Sequence, residues 1–378
     1  MKIAFVRRDY TPKGGAEKYL VNLSSELARM GEAVHIVAHT CQGPPHPKIT
    51  VHPVPMVPVI SPLKNLSFAL GAARELKRLN VDIICGLSRG FHHDIFRISD
   101  GLHLFHMRQR YGTGMRYLFK SLTPRHRTLL YLEKKSLLAP GLKRVITNSF
   151  LAKAQVSHYY HLPEEKISVI YNGIDPSVFN PSVRDRHRST GRKSFGIGED
   201  ETVILFVALD PERKGFILLL EALSLLKGEN FKLLAVGMTD RKEYRKRVAE
   251  SGLAGKVIFI GYHSRIEEVY GMGDMLVLPT FYDPFANCCL EAMASGIPVI
   301  TTRQNGASEL IDNGTDGFVV DEPSRVTDLA ERIGRLAERE TRERMGRQAS
   351  LSVRGLTVEE NAKRTLNLFK QVLRERTA

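Results

Sequence analysis

The sequence predicts an α/β protein built from two similar halves. Three observations carry that prediction. Short apolar runs of strand length alternate with segments whose apolar residues recur at helical spacing. The alternation occurs twice, on either side of a polar, basic stretch at 182–200 that shows no hydrophobic periodicity. The 378 residues accommodate two domains of ordinary size. Strands alternating with helices of this length form parallel sheets with right-handed crossovers. The expected architecture is therefore two doubly wound, Rossmann-like domains facing a central cleft. The amino-terminal domain spans 1–180, a linker 181–200 and the second domain 201–356, with a helix at 357–378 packing back on the first domain.

Each element has its own signal. KIAFVR (2–7) is short and apolar and reads as a buried first strand, not as a signal peptide. A loop from Arg8 to Gly15 leads into a helix marked by Tyr19, Leu20, Leu23, Leu27 and Met30, which Gly31 ends. AVHIVAHT (33–40) is the next strand. Residues 43–62 hold Pro44, Pro45, Pro47, Pro53, Pro55, Pro58 and Pro62 and are expected to be extended. A helix around Leu66–Leu79 precedes strands at 81–87, 144–149 and 166–175. In the second half, strands are expected at 202–210, 231–237, 256–262, 274–280 and 298–302. Helices are expected at Phe216–Leu226, Arg241–Ser251 and around Glu291–Ala294, with an amphipathic helix from Thr357 to Thr377.

Composition excludes several classes. Hydrophobic residues make up 43% and charged residues 25% of the chain, which rules out wholesale disorder. No apolar run has the length of a membrane span. The four cysteines, Cys41, Cys85, Cys288 and Cys289, have no CxxC spacing, so neither a disulfide framework nor a zinc knot is indicated, and a reducing cytoplasm fits. The net charge of +14 is unevenly spread: residues 1–180 hold 25 basic against 12 acidic residues, and 181–378 hold 30 against 29. Within 101–150 the sole acid is Glu133 among ten basic residues. Such a surface either faces an anionic partner or serves as a solvated, solubilising face.

Three motifs carry chemistry. Gly14-Gly15-Ala16-Glu17 lies between the first strand and its helix, where glycines and a helix N-terminus let backbone amides approach an anion. It is not a GxGxxG fingerprint and gives no support to a nicotinamide enzyme. Asp210-Pro211-Glu212-Arg213-Lys214-Gly215 follows a predicted strand, and adjacent Arg and Lys at a strand's carboxyl end can clamp a diphosphate. The third motif runs from Asp283 through Pro284, Phe285, Ala286, Asn287, Cys288, Cys289 and Leu290 to Glu291. Its two carboxylates suit sugar and ribose hydroxyls, and the helix start supplies amides.

The D-x7-E stretch followed by AMASGIPVITT resembles the E-x7-E signature of the family 4 retaining glycosyltransferases, which have the GT-B fold. The order of the other motifs agrees, with Asn172-Gly173-Ile174-Asp175 before the linker and Asn305-Gly306-Ala307-Ser308-Glu309 late in the chain. Within that family the sequence is most similar to the lipopolysaccharide core glucosyltransferases.

The resemblance implies that Glu291 binds the nucleotide ribose and Asp283 the hydroxyls of the donor sugar, with Phe285, Ala286 and Asn287 in the same donor loop. It implies that Arg213 and Lys214 hold the diphosphate and that the Gly14 and Gly15 amides approach the phosphates or the sugar. It also makes Asp100, in Ile98-Ser99-Asp100-Gly101, an active-site candidate. Two departures stand out: Asp283 replaces the usual first glutamate, one methylene shorter, and Ala286-Asn287 replaces a glycine-containing pair.

The resemblance further implies a nucleotide-sugar donor such as UDP-glucose as co-substrate, no cofactor and no bound metal, and an anionic glycolipid acceptor. The segment Arg108–Arg127 mixes Arg108, Arg110, Arg116 and Lys120 with Tyr111, Met115, Leu118 and Phe119, the composition of an interfacial helix. Together with that composition, the resemblance implies a cytoplasmic enzyme held peripherally on the anionic inner membrane. His92, His93, His103 and His106 crowd one region and read as cleft-wall or surface residues, since adjacent histidines rarely converge on one metal. Cys288 and Cys289 read as a buried pair under the donor loop. A nucleic-acid-binding protein, the alternative raised by the basic charge, lacks any recognised reader motif.

Overall fold

The computed structural model describes residues 1–42, 46–226 and 228–377. Pro44 and Pro45 of the proline-rich stretch lie outside the described residues. The chain divides into two compact units, Met1–Gly173 with Val358–Ala378, and Ile174–Thr357.

The first unit contains β1 (Lys2–Val6), β2 (Asp9–Tyr10), α1 (Gly15–Arg29), β3 (Ala33–Ala38), β4 (Thr40–Cys41), β5 (Ile49–Pro53), α2 (Ser61–Leu76), β6 (Ile83–Gly86) and β7 (Ile95–Ile98). It continues with α3 (His103–Tyr111), α4 (Met115–Ser121), α5 (Pro124–Leu137), β8 (Arg144–Thr147), α6 (Phe150–Tyr160) and β9 (Ile167–Val169). Seven strands form one parallel sheet in the order β5-β3-β1-β6-β7-β8-β9. The apolar stripe of α1 (Leu20, Leu23, Leu27) packs on Ile3, Phe5, Val34 and Ile36 in one apolar core.

The second unit contains α7 (Ser182–Ser194), β10 (Thr202–Val207), α8 (Phe216–Leu225), β11 (Phe231–Val236), α9 (Lys242–Glu250), β12 (Val257–Phe259), α10 (Ile266–Met272), β13 (Met275–Leu278), α11 (Asn287–Ala294), β14 (Val299–Thr302), β15 (Gly317–Val320), α12 (Val326–Ala337) and α13 (Arg339–Ser352). Its six-stranded parallel sheet runs β12-β11-β10-β13-β14-β15. The terminal helix, α14 (Val358–Thr377), returns to the first unit, where it lies against α1 and sets Phe369 6.1 Å from Phe5, ring to ring. In both sheets the order reverses beside the first strand of the unit, the arrangement that leaves room for ligand at the carboxyl ends of strands.

The structure corrects several expectations. The stretch 181–200 is not a loose linker: most of it is α7, packed within the second unit. Its periodicity is one of charge. Arg184, Arg188 and Arg192 recur every four residues and converge on the buried Asp274 at 3.2, 2.9 and 2.5 Å. The first passage between units falls at Gly173/Ile174, earlier than position 180, and Ile174 N–H bonds to Leu356 O at 3.0 Å beside the second passage. Among the described residues of the proline-rich stretch, Ile49–Pro53 is extended as β5, whereas Pro62 opens α2, where its missing N–H costs nothing. β7 and β15 are further strands, and the buried arginine at position 97 masks the apolar signal of β7.

Candidate active site

In the first unit the site residues gather at the carboxyl ends of β1, β6 and β7. A cavity of about 130 Å³ opens there, lined by Arg7, Glu17, Ser88, Arg89, Asp100 and Glu133 among others. Asp100 lies two residues beyond β7 and is half exposed. Arg7, one residue past β1, is buried beneath it. Its Nη1 donates to Asp100 Oδ2 at 2.9 Å and to Leu87 O at 3.0 Å, and its Nη2 donates to Glu17 Oε1 at 2.5 Å. Burial opposes the charge on Arg7, but Asp100 and Glu17 more than offset it, so the guanidinium pKa is raised.

Gly14 begins α1 with φ +97°, and a Cβ there would sit 2.5 Å from Glu17 Oε2. The glycine is thus required by its backbone, whose φ a side chain rarely adopts, while the Glu17 carboxylate folds back over it. An acidic side chain in the first turn also complements the helix dipole. Opposite, Glu133 is buried and accepts from Arg89 Nε at 2.9 Å, from the His103 and Leu104 N–H groups at 2.5 and 3.0 Å, and from the Tyr160 hydroxyl at 2.7 Å. The lone acid of the basic segment therefore caps the start of α3.

In the second unit, β10 and β13 deliver the two charged motifs to one place. Asp283 is 7% exposed. Its Oδ2 accepts from Arg213 Nη1 at 2.9 Å and from Lys214 Nζ, and its Oδ1 accepts the Phe285 N–H at 3.0 Å. Burial raises the Asp283 pKa, but Lys214 and then Arg213 outweigh it and hold the carboxyl below the usual aspartate value. Arg213 also donates to Tyr282 O at 2.7 Å. Gly215, at φ +81°, lies so close to the Pro279 carbonyl that any Cβ would collide with it, which explains the glycine after Arg213-Lys214.

The donor-loop residues are held from behind. Asn305 is fully buried, and its Oδ1 accepts the Ala286 and Ala307 N–H groups, each at 3.1 Å. Its Nδ2 donates to Thr301 Oγ1 at 3.0 Å and to Cys289 Sγ at 3.3 Å. Phe285 and Ala286 are buried, and Asn287 starts α11. Glu291, one turn on, accepts from the buried Tyr270 hydroxyl at 2.9 Å. Burial and then Glu291 raise that phenol's pKa well above normal.

The structure thus brings Arg213, Lys214 and Asp283 into direct contact and places Phe285, Ala286, Asn287 and Glu291 on the following loop and helix. It brings Gly14 and Asp100 together through Glu17 and Arg7. Sequence reasoning missed Arg7, Arg89 and Tyr270. A charged residue following a buried strand was the available signal for Arg7; a tyrosine in the short helix IEEVYGM gave none for Tyr270.

The histidines are corrected in part. His93 is neither surface nor cleft wall: it is 4% exposed and stacked on Phe96 at 5.5 Å, and burial pushes its pKa down to about 4. His103 and His106 lie on one helix, α3, and His103 Nε2 sits 3.0 Å from His126 Nδ1. Among the described residues, no group of three or more His, Cys, Asp or Glu could hold a metal ion. Cys288 and Cys289 are buried on α11 with free thiols.

The segment Arg108–Arg127 is not one interfacial helix but parts of three. Gly112, at φ +71°, ends α3 and Pro124 opens α5. Arg110, Arg116 and Lys120 surround the Tyr111 ring at 5.9, 5.7 and 6.0 Å, and Arg108 lies 5.0 Å from the Tyr159 ring.

Residues 13–178 match the family described as Glycosyltransferase Family 4, and residues 187–352 match Glycosyl transferases group 1. The chain belongs to the family 4 glycosyltransferases. It is 29% identical over 337 residues to an uncharacterised glycosyltransferase of Methanocaldococcus jannaschii, covering 85% of each chain. It is 23% identical to the lipopolysaccharide glucosyltransferase WaaG of Escherichia coli, covering 85% of this chain and 86% of WaaG. A crystal structure of WaaG superposes with a TM-score of 0.85 at 21% identity, covering 97% and 99% of the two chains. Anabaena HepE, solved with UDP and glucose, has a TM-score of 0.74 at 20% identity, covering 98% and 99%. The fold is GT-B.

Proposed function

We propose that this glycosyltransferase moves a hexose, with retention, from a nucleotide diphosphate donor such as UDP-glucose to an anionic glycolipid of the lipopolysaccharide-core type. The observation that carries the reading is the buried Arg213–Lys214–Asp283 cluster one loop before the start of α11. Two cations at the carboxyl end of β10 are held in place by one carboxylate. A donor diphosphate supplies the charge that draws them away from Asp283, and they then stabilise the departing nucleotide. Asp283, so released, turns to the donor sugar, while Glu291, steadied by Tyr270, takes the ribose. Asp100 orients the acceptor. The leaving phosphate itself takes the acceptor proton, so the reaction needs no separate base. The relatives support the donor class: HepE was solved with UDP and with UDP-glucose, and WaaG is a lipopolysaccharide glucosyltransferase.

The enzyme works at the cytoplasmic face of the inner membrane, and α4 carries the contact. Met115, Leu118 and Phe119 are exposed there beside Arg116 and Lys120.

The test is a donor panel. The protein is titrated with UDP-glucose, UDP-N-acetylglucosamine, GDP-mannose and ADP-heptose, following thermal stabilisation and donor hydrolysis. Stabilisation by UDP-glucose that Glu291→Ala abolishes is the expected result. Selective stabilisation by another donor moves the assignment to a mannosyl-, N-acetylglucosaminyl- or heptosyltransferase. No response to any donor overturns the reading.

A further inference from the structure

The first unit holds an arrangement that neither the family match nor the sequence motifs assign. Arg7 is a single guanidinium with a carboxylate on each of its two terminal nitrogens. Asp100 comes from the loop after β7, and Glu17 from the first turn of α1. A third contact, to Leu87 O at 3.0 Å, fixes the same side chain to the end of β6. Three segments far apart in sequence therefore meet on one planar, five-donor group. All three charged residues line the same cavity.

We infer that Arg7 is the positioning residue of the acceptor side. It sets the orientation of Asp100 and couples it, through Glu17, to the glycine turn at the start of α1. The inference rests on the proposed role of Asp100 in orienting the acceptor. Three physical points support it. Arg7 side-chain exposure is 9% against 51% for Asp100, so the cation is fixed by its surroundings while the carboxylate it holds remains within reach of a ligand. The geometry uses two different nitrogens for the two acids, which an ammonium on a flexible stem cannot reproduce. Glu17 folds over Gly14, so a carboxylate occupies the very turn that the sequence marks for an anion, and Arg7 is the group that neutralises it.

The neighbouring arginines of the cavity do different work. Arg89 is committed to Glu133, and the exposed Arg8 to Asp9. Arg97 is buried, with one nitrogen bonded to Ile170 O and Asn172 Oδ1 at 3.2 and 2.7 Å and its guanidinium 4.0 Å from the centre of the Tyr19 ring. It anchors the segment that leaves the first unit.

The test uses the full chain, with UDP-glucose as donor and lipopolysaccharide truncated to its inner-core heptose as acceptor. Arg7→Lys, Arg7→Ala, Asp100→Asn and the double variant Arg7→Ala with Asp100→Asn are compared below their melting temperatures. UDP affinity, which reads the second unit, serves as the control for the donor site, and circular dichroism with the melting temperature of each variant serves as the control for folding. The inference expects Arg7→Lys and Arg7→Ala each to lower kcat more than tenfold, with UDP affinity unchanged within about twofold. The double variant is expected to be no slower than Asp100→Asn alone, because both changes remove one coupled device. Guanidinium added at sub-denaturing concentration should restore part of the Arg7→Ala rate and none of the Asp100→Asn rate.

Full activity in Arg7→Lys, or losses that multiply in the double variant, overturns the inference and leaves the glycosyltransferase reading standing. Full activity in Asp100→Asn removes the role of Asp100 and the inference with it. Absence of transfer and hydrolysis by the unaltered protein overturns the donor and acceptor assignment itself, and the inference falls with it.

Discussion

Tyr270 donates its hydroxyl to Glu291 Oε2 at 2.9 Å from a position with no solvent exposure. The pair links α10 to α11 and aims the carboxylate that the proposed chemistry gives to the nucleotide ribose. Tyr270→Phe keeps the ring, its edge contact with Phe179 at 5.8 Å and most of the packing, and removes only the hydroxyl. A hydrogen bond to a charged group contributes about 1.5–3 kcal/mol. We expect the melting temperature to fall by several degrees and UDP affinity to fall more than threefold as Glu291 loses its support. Isothermal titration with UDP measures it, and unchanged affinity would show that Glu291 is placed by the helix alone.

Asp283 pairs with both Arg213 and Lys214, so its removal should have effects of opposite sign on binding and turnover. Asp283→Asn leaves the buried Lys214 without its carboxylate, and breaking a buried pair typically costs about 3–5 kcal/mol of stability. A nucleotide diphosphate then supplies the missing charge. UDP should raise the melting temperature of Asp283→Asn by more than it raises that of the unaltered protein, while transfer falls more than tenfold. Arg213→Ala and Lys214→Ala should lose both binding and turnover. An equal UDP response in the two proteins would rule out the exchange of counter-ions.

The buried Asp274 on the approach to β13 is the stability counterpart. Arg184, Arg188 and Arg192 of α7 bond to it, Arg342 of α13 lies 3.7 Å away, and the Val203 N–H donates to it at 2.8 Å. Burial raises its pKa, but the arginines and the amide together hold it below 3.8. The stabilisation is therefore complete above the unfolded aspartate pKa of about 4 and is lost as pH falls through the lower folded value. Asp274→Asn should destabilise by about 3–5 kcal/mol, read by urea unfolding at neutral pH, and should flatten the acid limb below pH 4.

His93 and His103 dominate a separate, higher pH window. Burial lowers both pKa values from 6.5 to about 4. The unfolded chain binds these protons first, so stability falls as pH drops from 6.5 and levels off near 4. His35 and His126, whose pKa values burial also lowers, add to the same interval, so unfolding there should take up protons, seen as the slope of unfolding free energy against pH. His93→Leu removes one of these groups and lowers the slope. An unchanged slope would mean that His93 is protonated in the folded state.

How much of this was legible in the sequence depends on what kind of signal each element carries. β1, α1, β10 and β13 are apolar runs or stripes, and hydrophobic period alone finds them. The Arg213-Lys214 and Asp283-to-Glu291 motifs were readable because short-range spacing places their residues. α7 was not, because its ordering signal is three arginines seeking one aspartate more than eighty residues away. Arg7 and Tyr270 escaped for the same reason: each acts through a partner brought near only by the parallel crossovers, at separations of 93 and 21 residues. Composition correctly marked the basic segment, yet could not show that Gly112 and Pro124 break it into three helices.

That broken segment makes a specific prediction about membranes. Among the described residues no helix is long and apolar enough to cross a bilayer. A surface contact needs apolar side chains that reach the acyl boundary and cations that meet anionic headgroups. Met115, Leu118, Phe119 and Leu122 are each at least half exposed, and Arg116 and Lys120 flank them. The Tyr111 ring between those cations holds them close together. Both contributions can be separated. Vesicles of anionic and of neutral lipid are sedimented with the protein at low and high salt. Binding is expected to anionic vesicles at low salt, weakened as the screening length shortens. Since each basic residue near such a surface contributes about 1 kcal/mol, Arg116→Glu with Lys120→Glu should reduce binding more than tenfold. Phe119→Ser should reduce binding to a similar degree but leave the salt dependence intact. Equal sedimentation with both lipids would remove α4 from the membrane and return its charge to the role of a solvated face.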